Sequence, residues 1–374
     1  MSDETTYLMI PGPVDAEDDV LEAMSHRVLP HYGGPWLEIY NQAVDGLRQV
    51  FGTEGDLFLM TGPGTAGLEA ALGSLAYTGE KVLVAQNGFF GQRLGTVARA
   101  YGLDVRTVEA PLGELIDPQA IKRRLAAEPD IQAVVVVHLE TSTGVLNPVQ
   151  EIAAITGEAG VPIIVDAVSS LGGVPLRVDD WGLDVCVSVI NKCLGCPPGI
   201  APISVSERAW AQIERKGDSN HGWYLNLGVW KQYARDWGDW HPYPTSMPTN
   251  NVLALLASLR RILAQGLEAQ YERHARAAAQ VRQTLNAWGF TSFAPEAHSS
   301  PLITAVYPPP GVDIEDLRRY LLAKRQIMVS GGLQDLRGKI MRVGHIGKAA
   351  SDEYVQRLLE GIEAYLRLSP PRSG

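Results

Sequence analysis

The chain has 374 residues, 45% hydrophobic and 20% charged, with a formal net charge of −10. This is an ordinary globular balance, with room for two or three domains at roughly 100–200 residues each, and it argues against a broad nucleic-acid-binding surface while leaving room for a local cationic pocket. The three cysteines, Cys186, Cys193 and Cys196, lie too close together for a secreted disulfide framework.

The start, Met1-Ser2-Asp3-Glu4, is acidic, and no apolar run reaches the length of a membrane span. A soluble, cytoplasmic protein is expected. Residues 1–20 read as an irregular arm in which Pro11-Gly12-Pro13 redirects the chain. A strand is predicted at 56–61, followed by a helix at 66–77 whose Leu68, Ala71, Leu72 and Leu75 share one face. Strand 81–85, helix 92–101 and strand 104–108 come next. Helix 117–127 opens with Asp117-Pro118, an N-cap followed by proline at the first helical position. The strand at 133–137 holds four consecutive valines, the pattern of a strand buried on both faces. Helix 148–159 and strands 162–165, 185–190 and 203–205 complete the alternation.

Strands alternating with helices imply an α/β domain with a mostly parallel central sheet and helices on both faces. That large domain is placed at 21–255. A long helical stretch at 251–288 leads into a smaller C-terminal α+β domain, 256–368. It contains strands at 302–307, 327–330 and 339–343 and helices at 313–324 and 352–366. Residues 369–374 read as a loose tail.

Four features carry candidate chemistry. Gly62-Pro63-Gly64-Thr65-Ala66-Gly67 joins a strand to a helix and fits G-x-G-x-x-G. A dinucleotide site also expects an acid at the end of the next strand, but that strand ends Ala85-Gln86-Asn87. What remains is a glycine-rich turn whose free amides and helix dipole suit a phosphate, or a plain tight turn. Asp166 ends a buried strand at the sheet edge where such folds bind ligands, although an acid there can also cap the following turn. Lys192 follows the strand at 185–190. If desolvated there, its amine becomes a nucleophile of the Schiff-base kind. Asp166 and Lys192, at the ends of successive strands, would face one cleft. Arg342 sits in a β-rich segment and is either a carboxylate clamp or a surface ion-pair partner. Cys193-Leu-Gly-Cys196 raises metal or redox chemistry. However, zinc needs a fourth ligand that is not nearby, and Pro197-Pro198-Gly199 breaks the helix a redox pair would open.

An acid, a lysine, a phosphate-type turn and a C-terminal arginine fit one cofactor, pyridoxal 5′-phosphate. The chain resembles the class V, fold-type I aminotransferases, most nearly the alanine–glyoxylate and serine–pyruvate branch. The resemblance spans about residues 8–366 and rests on seven motifs in order. These are Pro11-Gly12-Pro13, the run from Thr61 to Glu69, Asn87-Gly88-Phe89-Phe90-Gly91-Gln92-Arg93, Glu140-Thr141-Ser142-Thr143-Gly144, Val165-Asp166-Ala167-Val168-Ser169-Ser170, Asn191-Lys192 with Pro197-Pro198-Gly199, and Arg342-Val343-Gly344.

The resemblance implies a role for each matching residue. Lys192 would form the Schiff base and Asp166 would pair with the pyridinium nitrogen. Gly64 and Thr65 would bind the phosphate, with Asn191, where the family more often has Gln, as a further donor. Phe90, in place of the branch's usual Trp, would stack on the ring. Thr141 would bond near the ring hydroxyl. Tyr243 and Ser246 would reach the phosphate of a neighbouring subunit in a homodimer with shared active sites. Arg342 would clamp the substrate carboxylate, with Gly12 lining that end. The substrates implied are a small amino acid, alanine or serine, and a 2-oxo acid, glyoxylate or pyruvate.

Three alternatives accompany this reading. The stretches around Lys192 and at 205–210 also resemble the pyridoxamine–pyruvate aminotransferases, which take free pyridoxamine. There an acid replaces Pro63, so Pro63 favours the bound cofactor. A desulfurase-like lyase would carry a late nucleophilic cysteine, and no Cys follows Cys196. A binding protein that kept the fold without catalysis would not need Asp166, Lys192 and Arg342 together.

Overall fold

The fold is seen in a computed structural model that describes residues 6–216 and 222–368. The acidic start and the expected tail at 369–374 lie outside the described residues. In chain order the large part contains β1 (Tyr7–Leu8), α1 (Asp18–Met24), α2 (Gly34–Phe51), β2 (Asp56–Thr61), α3 (Gly64–Leu75), β3 (Lys81–Gln86), α4 (Phe89–Ala100), β4 (Asp104–Glu109), α5 (Pro118–Ala127), β5 (Ile131–Val137), β6 (Leu139–Glu140), β7 (Val145–Leu146), α6 (Val149–Glu158), β8 (Ile163–Asp166), α7 (Val178–Trp181), β9 (Val185–Val187), β10 (Ile200–Val205), α8 (Glu207–Arg215) and α9 (Leu227–Asp236). Then follow α10 (Thr249–Gln265), α11 (Leu267–Ala287), β11 (Thr291–Ser292), β12 (Ile303–Tyr307), α12 (Ile314–Arg325), β13 (Ile327–Met328), β14 (Ser330–Gly331), β15 (Met341–Gly344) and α13 (Asp352–Leu368).

The central sheet has seven strands in the order β2-β10-β9-β8-β5-β3-β4. Its β4, β3, β5, β8 and β9 run parallel, while β10 is antiparallel to both neighbours. The sheet is therefore mostly parallel, as expected. Val134 to Val136 are fully buried, which explains their unbroken apolar run. The order places the carboxyl ends of β8 and β9 side by side, with Asp166 opposite Val187.

The N-terminal arm is more ordered than an irregular segment. β1 pairs in parallel with β13, and Met9 N–H donates to Met328 O at 2.9 Å. The long helical stretch is two helices, broken at Gly266, whose φ of 87° lies in the left-handed region that glycine tolerates. Helix α2 escapes the strand–helix reading, although Trp36, Leu37, Tyr40, Val44, Leu47 and Phe51 bury one face. A large hydrophobic core packs both faces of the central sheet. A second, smaller core unites Met9, Val281, Leu317, Val343 and Leu358 from the arm and the C-terminal elements. The arm thus belongs to the smaller core while its next residues run toward the central sheet. Among the described residues, no helix is long and apolar enough to cross a membrane.

Candidate active site

A cavity of about 190 Å³ opens between the start of α3, the start of α4 and the ends of β8 and β9. Gly64, Thr65, Phe90, Asp166, Asn191 and Lys192 all line it. Helix α3 begins there with no side-chain cap and no acidic residue in its first turn. Gly64 is required by close approach: a Cβ added to it would stand 2.6 Å from Val168 Cγ2. Thr65 Oγ1 accepts a hydrogen bond from Arg93 Nη2 at 2.9 Å. Amides, a hydroxyl and a guanidinium therefore converge at one helix end.

Asp166 is 7% exposed, and one carboxylate oxygen accepts from Val168 N–H at 3.0 Å. Burial pushes its pKa up to about 6, and Glu140 adds to the rise, while Lys192 and Arg93 oppose it. Lys192 moves the other way. Burial pushes its ammonium down to about 8, with Arg342 contributing. Its Nζ donates to the carbonyl of Pro11. Gly12 lies directly over the lysine stem at φ 130°, again a left-handed conformation.

Arg342, on β15, is 5% exposed. Its Nε donates to Gly331 O and its Nη1 to Thr141 O, both at 2.8 Å. Both partners are neutral carbonyls, and Arg342 makes no ion pair among the described residues. It is thus a buried, oriented cation with no carboxylate in direct contact, although the charge of Glu140 partly offsets its burial, and it is suited to a carboxylate. The arm reaches the same place, since Gly344 N–H donates to Met9 O and its α-carbon packs against Ile10 O. Thr141 enters by its backbone: the carbonyl holds Arg342, and the buried side chain is not among those lining the cavity.

Tyr243 and Ser246 do not line this cavity. Tyr243 is fully buried, and its hydroxyl donates to His31 O while accepting from Trp36 Nε1. That hydroxyl is therefore already engaged within the chain. Ser246 is exposed. The three cysteines are buried and unpaired. Among the described residues, no cluster of His, Cys, Asp or Glu could hold a metal ion. Cys193 Sγ contacts Ser169 O at 3.4 Å, as a packed side chain rather than a ligand.

Two residues given no role in the sequence reading belong here. Arg93 lies one turn into α4 and lines the cavity beside Thr65. Glu140 is fully buried and accepts hydrogen bonds from the backbone of α4. Both stand inside motifs quoted above. Only the spacing of Arg93 from Phe90, three positions along one helix face, could have signalled either one.

These residues fit pyridoxal phosphate. The uncapped α3 start, crowded at Gly64, suits the phosphate. Asp166 is a buried acid in need of a positive partner. Lys192 has an amine that is readily freed of its proton, and Phe90 is an aromatic wall.

The aminotransferase class-V family model matches residues 14–358. An uncharacterized aminotransferase of Methanocaldococcus jannaschii is 38% identical over 94% of this chain and 90% of its own. The pyridoxamine–pyruvate transaminase of Mesorhizobium japonicum is 34% identical over 92% of this chain and 87% of its own. Among solved structures, an alanine–glyoxylate aminotransferase from Nostoc sp. superposes with a TM-score of 0.93 at 33% identity, covering 98% of this chain and 97% of that one.

Proposed function

The chain belongs to the class-V aminotransferase family, and from that premise we propose that it moves the amino group of a small amino acid, alanine or serine, to glyoxylate or pyruvate. It is a pyridoxal-phosphate-dependent enzyme by family. The observation that carries the reading is the meeting of Lys192 and Asp166 on one cavity with an open helix start, with the charge of the unpaired Arg342 close enough to act on Lys192.

Bound there, pyridoxal phosphate supplies a carbon that accepts amines and a ring that takes up charge developing at the substrate α-carbon. Lys192 Nζ, which titrates near 8, is the amine that would hold it. With substrate present, the free Nζ would be the base placed to take the α-proton and to give one back. Asp166 would pair with the ring nitrogen and favour its protonated form, and that ion pair would keep the acid ionised despite its burial. Arg342 fixes the substrate carboxylate and so sets which bond at the α-carbon lies near Nζ. Gly12 leaves room for Lys192 to swing. Tyr243 and Ser246 keep their proposed role toward a second subunit only in a homodimer, where the engaged Tyr243 hydroxyl would have to exchange a partner.

The test is a panel of amino donors mixed with the loaded protein, reading the visible absorbance of the bound cofactor. Alanine or serine should discharge it, and glyoxylate or pyruvate should restore it. Lys192→Ala should remove the band, and an unchanged band would overturn the assignment. The similarity to the pyridoxamine–pyruvate enzyme supplies a second reading. Steady turnover of free pyridoxamine with pyruvate, without added cofactor, would favour that reading over ours.

A further inference from the structure

Glu140 has no role in the function proposed above, yet it is the most completely bonded carboxylate around the site. It closes the two-residue strand β6 and is fully buried. Its Oε2 accepts from Phe90 N–H at 2.9 Å and from Gly91 N–H at 3.0 Å. Its Oε1 accepts from Ser142 N–H at 3.0 Å and from the Ser142 hydroxyl. The same hydroxyl oxygen accepts from Phe89 N–H at 3.0 Å. The first three amides of α4 are therefore all satisfied by Glu140 and Ser142, which lie some fifty residues later in the chain.

This capping comes from outside the helix. The N-cap residue of α4 is Gly88, which has no side chain to offer. A Cβ there would stand 2.5 Å from Glu140 Cδ and 2.6 Å from Ser142 Oγ. Gly88 thus makes space for the carboxylate that replaces an ordinary cap. An anion at a helix N-terminus is also favoured by the dipole. Both oxygens meet only donors, so the ionised form is the one these bonds stabilise, against the upward push of burial.

The consequence lies one residue further along on each side. Phe90, whose amide Glu140 holds, is the aromatic wall of the cavity. Thr141, whose position follows from Glu140 and Ser142, presents the carbonyl that holds Arg342. A single buried carboxylate thus ties the cofactor wall on α4 to the substrate clamp on β15.

We propose that Glu140 is a positioning residue for this enzyme, fixing Phe90 against the cofactor and Arg342 toward the substrate carboxylate through the capped start of α4 and the 140–142 turn. The proposal rests on the function read above. It assigns Glu140 no contact with substrate and no proton transfer.

The test uses full-length protein, prepared without cofactor and then titrated with pyridoxal phosphate. Glu140→Gln keeps the volume but turns an NH2 group toward donors on one side. Removing hydrogen bonds to a buried charge should weaken cofactor binding about tenfold or more, read by fluorescence. It should also shift the visible absorbance maximum and raise KM for the amino donor more than it lowers kcat. Ser142→Ala, a milder loss that leaves Glu140 in place, should move the same three readouts in the same direction by less. It also keeps the test open if Glu140→Gln fails to fold. Variants that lose only thermal stability, with cofactor affinity, band position and KM as in the parent, would overturn the positioning role. Failure of the parent itself to bind pyridoxal phosphate through Lys192 would overturn the underlying function, and the proposal with it.

Discussion

Gly12 and Lys192 meet so closely that a Cβ added to Gly12 would stand 2.1 Å from Lys192 Nζ and 2.6 Å from its Cε. No rotation of a methyl group relieves such an overlap, and the φ of 130° adds strain for any other residue. The arm is held by β1 and Met9 on the small-core side, so it cannot simply lift away. Gly12→Ala should therefore displace the lysine rather than the arm. We expect the protein to fold and the cofactor band to fall at least about tenfold, since small misplacements of reacting groups cost on the order of a hundredfold in rate. A variant with the parent's band and rate would show that Lys192 has another route.

The pH at which Lys192 becomes reactive follows from its surroundings. Its amine titrates near 8, lowered first by burial and then by the charge of Arg342. Below that pH the protonated form dominates and cannot attack. Capture of pyridoxal phosphate by cofactor-free protein should accelerate as pH rises through about 8 and then level off. Arg342→Leu removes a neighbouring cation, so its profile should shift to higher pH. Stopped-flow absorbance across pH 6–10 (a range on the scale of the ordinary lysine and histidine values) reads both curves. A midpoint that stays put or moves down would separate the two residues.

The cysteines invite a sharper expectation than their spacing did. Burial pushes the thiols of Cys193 and Cys196 up to about 12, and the thiolate is the reactive form. Native protein should show no thiol reactive toward Ellman's reagent within minutes, and all three should react once unfolded. Treatment with reagent or chelator should leave the cofactor band unchanged. Rapid labelling of the native protein would revive a redox reading of the pair.

What the sequence revealed divides along a physical line. Lys192, Asp166 and the turn at Gly64 were legible because each is a local pattern at a strand end. The buried valines of β5 were legible for the same reason. Glu140 was hidden because its partners are amides of Phe90 and Gly91, and no local signal records a carboxylate serving a distant helix. The antiparallel setting of β10 was hidden too, since sheet order depends on which strands meet and not on their own composition. Helix α2 was legible in principle from its buried face, but nothing before it marks a strand to alternate with. The Thr141 carbonyl that holds Arg342 was hidden as well, because a backbone acceptor leaves no mark in the residue type.

Helix α3 is tied at the end opposite Gly64 and the cavity. Lys216 is 2% exposed, and its Nζ donates to Gly73 O at 2.8 Å and to Ala76 O. These carbonyls belong to the orphan acceptors at a helix C-terminus, and a cation there also complements the dipole. Lys216→Met keeps the apolar stem and deletes the donor. The loss should destabilise the protein by about 1–3 kcal/mol, the cost of leaving buried acceptors unsatisfied. Urea unfolding checks this. Cofactor affinity should change little, because the dipole's influence is confined to the nearest turn. A large loss of affinity at unchanged stability would contradict this division.

Asp166 shows the opposite balance between stability and function. In the cofactor-free protein its pKa is raised to about 6, chiefly by burial. A carboxyl raised above its unfolded value favours the folded state fully below about pH 4, and that contribution is lost as pH rises through about 6. At pH 8 the native protein holds a buried charge that the unfolded chain would leave in water. Asp166→Asn removes the charge while retaining an oxygen for Val168 N–H. The cofactor-free variant should therefore be more stable than the parent at pH 8, by about 1–3 kcal/mol, and no more stable at pH 4. Its amino-transfer rate should fall by at least about a hundredfold, because the ring nitrogen loses the acid that keeps it protonated. Denaturant melts at the two pH values decide the matter. A variant less stable than the parent at pH 8 would mean that Val168 N–H, Lys192 and Arg93 together outweigh the burial of the Asp166 charge.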